Sequence, residues 1–134
     1  MRSMFAIMAA ALALVACAKA SAAEPDSNNP AHCIAAMNFS SYWLAKGNKY
    51  PDKVVEVRAR SLFEVQKIKS AGRSLATAHA ESAALTKAYG NNLEAMNALF
   101  LDCGLAQDRD PRFKAQMPTL IALVRIGWRE QASE

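Results

Sequence analysis

From Asn29 onward, nearly every punctuation mark in this chain is a helix boundary, and that restricts the fold more than any other feature. Asn29 precedes Pro30, a cap residue followed by the imino acid that suits a first helical position, and Gly47 stands where that helix would stop. Cys33, Ala36, Met37, Ser40, Trp43 and Leu44 fall on one stripe at three- and four-residue spacing, with Phe39 and Tyr42 flanking it. Pro51 or Asp52 opens a second helix bearing Val55, Ala59, Leu62 and Val65, while Phe63 and Ile68 lie off that stripe and imply neighbours on two sides. Val54-Val55-Glu56-Val57 alone could pass for a strand. It continues into Arg58-Ala59-Arg60 without a turn, so helix wins on length.

Gly72 and Ser74 mark a break and a fresh cap, with a kinked continuous helix as the alternative. Leu75, Ala78, Ser82, Leu85 and Tyr89 then form a modest face, ended by Gly90-Asn91. Asn91-Asn92-Leu93-Glu94 resembles a capping box before a helix with Leu93, Met96, Leu99, Phe100 and Cys103 in register. Asp110-Pro111 repeats the cap-plus-proline start ahead of Phe113, Met117, Leu120, Ile121, Val124 and Trp128. Pro118, which lacks an amide donor, must kink or restart that last segment. Hairpin turn chemistry is absent. The expectation is an all-α domain, a small bundle of four to five helices with up-down topology.

The first 23 residues read as an address. Arg2 gives a positive start, Met4 to Ala16 an uncharged apolar run, and Ser21-Ala22-Ala23 a small-residue cleavage site. The chain thus divides into a cleavable signal peptide (1–23), a polar leader (24–29) that reads as flexible, and a single helical domain (30–134). Leu14-Val15-Ala16-Cys17 also resembles a bacterial lipobox, which makes Cys17 a candidate lipidation site. Soluble export to the periplasm or beyond is favoured over a lipid anchor, and membrane contact is expected only if Cys17 is lipidated.

With the address removed, Cys33 and Cys103 are the only cysteines left, and an even pair in an exported chain reads as one disulfide. It would set the first and fourth helices side by side and antiparallel. A small exported helical domain pinned by one long-range disulfide is similar in plan to periplasmic acid-stress chaperones. Only Cys33 and Cys103 carry that similarity. No acidic or histidine cluster is present to act as a pH trigger.

The full chain has 16 basic and 12 acidic residues, net +4. Arg2 and Lys19 belong to the address, so the remainder is net +2 and gives no footprint for nucleic acid. Between Lys46 and Arg73 the local net charge is +5. That is either a face for an anionic envelope partner or the solvated side of a helix.

Sites of chemistry are hard to find. His32 and His79 are not paired at ligand spacing, so a solvent-facing or capping role is favoured over metal. Met37, Met96 and Met117 lie on core stripes. Asp102, Asp108 and Asp110 lack the pattern of a calcium loop, and Asp110 is better read as a cap. No nucleophile elbow, triad order or glycine-rich phosphate loop is present. The expectation is therefore a non-enzymatic binding module without cofactor or metal, meeting a protein or envelope-surface partner. Phe39, Tyr42, Trp43, Arg58 and Arg60 form its candidate contact face. Core packing of Trp43 and plain solvation of the charges are the simpler readings of those residues. A stress chaperone or inhibitor, a lipid-anchored protein, and a metal or small-ligand carrier built on His32, His79 and the methionines are the alternatives.

Overall fold

The computed structural model describes residues 23–47 and 51–132, so the proposed signal peptide with Cys17 lies almost wholly outside the described residues. Five helices follow in order: α1 (Pro30–Gly47), α2 (Pro51–Ser70), α3 (Leu75–Tyr89), α4 (Leu93–Arg109) and α5 (Pro111–Ala132). No strand occurs among the described residues. The domain is an all-α, up-down bundle.

The ends of the helices follow local chemistry. Asn29 Oδ1 accepts from the Ala31 amide at 3.0 Å, satisfying one free donor of α1 just past Pro30. Helix α2 ends at a glycine with φ +68°. There the Arg73 amide donates to the Ile68 carbonyl and the Gly72 amide to that of Lys69, the paired closure that needs a left-handed residue. Ser74 then caps α3 through the Thr77 amide at 3.3 Å. Thus Gly72 is a break and not a kink. The cap of α4 is Asn92, bonded to the Ala95 amide at 3.0 Å, and not Asn91 as expected for a box with Glu94. Shifting the cap by one residue puts alanine where the reciprocating glutamate would have to be. Asp110 caps α5, and the helix continues through Pro118 without restarting.

Packing alternates in direction. Helices α1 and α2 are antiparallel, with Ile34 and Ile68 in one cluster and Ser61 Oγ donating to Asn38 Oδ1 at 3.1 Å. The disulfide joins Cys33, early in α1, to Cys103, late in α4, with a Cα separation of 5.7 Å. Closing a span of 70 residues stabilises the fold by about 4 kcal/mol through the entropy it removes from the unfolded chain. Helix α5 lies on the far side of α2. Phe63 and Phe113 meet edge to face at 5.3 Å, and Ala59 and Leu120 complete that cluster.

Of the stripe expected on α1, Cys33, Ala36 and Met37 are buried and Leu44 packs half-buried against the same cluster, while Trp43 does not join them. Residues 31–37 are all buried, because α2, α3 and α4 pack around this half together. Ala31, Ala35 and Ala36 keep it thin enough for that enclosure. Beyond Met37 the enclosure is partial: Ser41 is buried and Leu44 half-buried, but the other side of the helix is open. Trp43 is 50% exposed, whereas core packing was the simpler expectation for it. Leu93, expected to face inward, is also exposed, one position after its cap.

Candidate binding groove

Phe39, Tyr42 and Trp43 sit at three- and four-residue spacing, so the α1 backbone places them on one face. Phe39 meets Trp43 edge-on at 6.3 Å and Tyr42 meets Trp43 at 5.6 Å. One turn on, the Lys46 ammonium stands 5.2 Å from the Trp43 ring centre and 5.9 Å from that of Tyr42. Cation and ring quadrupole attract, which orders the rim of the cluster. Tyr42 remains 60% exposed.

These rings form one wall of a groove of about 410 Å³ between α1 and the end of α3. The opposite wall is Ser82, Thr86, Gly90 and Asn91, and Asn38 contributes from α1. Gly90 is required by its setting, since a Cβ there would lie 2.5 Å from the Thr86 carbonyl oxygen. Thr86 Oγ1 donates to the Ser82 carbonyl at 3.0 Å and is thereby spent on its own helix. Ser82 Oγ and the Asn91 side chain make no hydrogen bond to any described residue.

The two arginines assigned to the same face lie elsewhere. Arg58 lines a groove with Leu62, Leu123 and Val124, next to α5. Arg60 bridges α2 and α4: its guanidinium donates to Gln107 Oε1 at 3.1 Å and Asp108 Oδ1 at 3.2 Å, and lies 4.7 Å from the Phe113 ring centre. Gln107 in turn donates to the Arg60 carbonyl at 3.1 Å and to Glu64 Oε1 at 3.0 Å. Glu64 is buried, and the Lys67 ammonium stands 3.1 Å from its Oε2 as an ion pair, though not aligned as a hydrogen bond. This network ties helices together. The basic stretch is similarly occupied, since Lys53 pairs with Glu56 and Arg73 with Glu81. Acidic partners thus interrupt the positive charge at these described residues.

His79 is exposed, as expected. His32 is neither exposed nor a cap: it is buried, and its Nδ1 accepts from the Asp26 amide at 3.0 Å. The leader is accordingly a bonded turn over the start of α1, with the Asn29 amide donating to the Asp26 carbonyl at 3.1 Å. Beside it a second crevice, about 440 Å³, holds Asn29, Arg73 and Glu81. Its polar groups satisfy one another, Glu81 taking bonds from Asn29 at 3.2 Å and Arg73 at 3.3 Å. Met37 and Met96 are fully buried and Met117 packs against the α2–α5 cluster. Asp102 is exposed, and Asp110 forms a 2.7 Å ion pair with Arg112 that lowers its carboxyl to a pKa of about 2. No group of three metal-ligating side chains occurs among the described residues.

The sequence reading found one wall of the groove and missed the other. Ser82 lies on the inward stripe of α3, which is a signal for burial but none for a ligand. No protein-family model matches the chain, and no curated protein or solved structure matches it. The disulfide fits an oxidising, non-cytoplasmic setting, and no described helix is long and apolar enough to cross a membrane.

Proposed function

We propose that this protein is an exported, non-enzymatic binding module of the cell envelope, periplasmic or extracellular, and that Phe39, Tyr42 and Trp43 engage its partner. One observation carries the reading: Tyr42 and Trp43 are 60% and 50% exposed together beside a groove. Large aromatics left in water at a concave site are favoured contact residues, because they bring much area at little cost in side-chain entropy. The apolar run Met4–Ala16 and the Cys33–Cys103 bridge support export. Soluble export is the preferred form, and the mass of the protein from its native envelope decides the point. A start at Glu24 supports it, and a lipid-modified Cys17 replaces it with an anchored form.

The test is cosedimentation of the purified protein with isolated envelope fractions, cell-wall sacculi and membranes separately, against a Tyr42→Ala/Trp43→Ala variant of unchanged circular dichroism. The double variant should lose at least about ten-fold in retention, equivalent to about 1.4 kcal/mol. Equal retention of the two proteins would refute the role of this face.

A further inference from the structure

The chemistry of the groove narrows what fills it. None of its described lining residues is charged, and the Lys46 ammonium at its rim is already seated over the Tyr42 and Trp43 rings. A phosphate headgroup or an acidic peptide would enter without a counter-ion in the groove itself, at the cost of its hydration. A purely apolar segment fits no better. It would cover Ser82, only 8% exposed, whose hydroxyl has no partner among the described residues, and leave that group dry and unpaired. The ligand must therefore be neutral, carry hydroxyl or amide groups, and still offer an apolar face to aromatic rings.

Resting on the reading of this face as a binding surface, we infer that the groove takes a neutral N-acetylated amino-sugar chain. The C–H face of a pyranose is weakly positive and stacks on the negative face of an aromatic ring, a role for the half-exposed Tyr42 and Trp43 rings on a face that Lys46 does not cover. Sugar hydroxyls pair with Ser82 Oγ and Asn91. Asn38 uses Oδ1 for Ser61, which leaves its amide protons for an acetamido carbonyl. Ala35 and Phe39 supply the apolar wall that an acetamido methyl requires. The groove's 410 Å³ lies within the roughly 300–1,000 Å³ of small-ligand sites. In the envelope, such neutral units are the N-acetylglucosamine residues of the cell-wall glycan.

Trp43 can report on this directly. The chain has two tryptophans, so Trp128→Phe leaves Trp43 as the sole tryptophan, read by excitation beyond tyrosine absorption. Titration with N-acetylchitotetraose should change its emission with saturation below about 1 mM, and calorimetry of the unsubstituted protein should give the same constant. Maltotetraose, with no acetamido group, should bind at least about ten-fold more weakly. Ser82→Ala and Asn91→Ala should each weaken binding about five-fold while circular dichroism stays unchanged.

No emission change and no heat with N-acetylchitotetraose up to about 10 mM, or equal binding of maltotetraose, overturns the amino-sugar assignment. In that event, Tyr42- and Trp43-dependent retention on envelope fractions would keep the binding-module reading intact. Retention independent of these rings, together with silent titrations, removes both.

Discussion

Helix α1 is two helices in its energetics. From Ala31 to Met37 every residue is buried and three other helices enclose it, with a disulfide holding one of them in place. From Asn38 to Gly47 only Ser41 is buried, and Tyr42, Trp43 and Lys46 stand on the surface. The composition of the two halves does not explain this. Both contain apolar residues in quantity, and the largest of them, Trp43, is in the exposed half. The difference comes from the neighbours: α2, α3 and α4 all reach both halves, but they close around the first on every side, where the crosslink also sits, and leave one side of the second open. One half is a structural axis. The other half carries its aromatic rings on a helix fixed at its start, which under the proposed binding role would spare the cost of ordering them anew.

Substitutions should separate the halves by size of effect. Replacing both cysteines with alanine should cost about 4 kcal/mol in urea unfolding. The unsubstituted protein should move toward the same midpoint when dithiothreitol is added; a midpoint that ignores both changes would mean the enclosed half does not depend on its clamp. Met37→Ala, a cavity in the fully buried half, should cost about 3 kcal/mol by the same measurement. A loss under about 1 kcal/mol would show that α2, α3 and α4 can close around the space. Asn29→Ala removes the cap at the enclosed end and should cost about 1 kcal/mol. Thermal unfolding resolves that, and no change would place the stability of α1 wholly in its packing. The smallest effect belongs to the other half: Trp43→Ala should alter stability by only about 0.5 kcal/mol, while abolishing the response to N-acetylchitotetraose. A large loss of stability there would erase the distinction between the halves.

Much of the architecture was legible because it is local. Asn29, Gly72, Ser74 and Asp110 act on backbone groups within a few residues, and such chemistry can be read in one dimension. The error at α4 is of the same kind and the same small scale, since Asn91 and Asn92 are equally able to cap and only the turn geometry chooses. The network of Arg60, Gln107 and Glu64 was not legible. Gln107 lies one turn after Cys103 and so falls on the inward stripe. That its partners would come from α2 depends on which helices become neighbours.

The candidate groove divides in the same way. Phe39, Tyr42 and Trp43 stand out in the sequence because helical spacing alone places them on one face. Arg58 and Arg60 were grouped with them by charge, and the fold disperses them to other surfaces. Ser82, Thr86 and Asn91 carry no signal for a ligand, because a wall formed by a second helix exists only after packing.

What the sequence by itself determined is the helical class, most of the helix ends and the Cys33–Cys103 crosslink, all consequences of short-range backbone chemistry or of cysteine parity after the leading apolar segment. Tertiary structure alone decided that α1 is enclosed along only half its length. Burial depends on how many neighbours reach a given turn, and that number is a property of the assembled bundle.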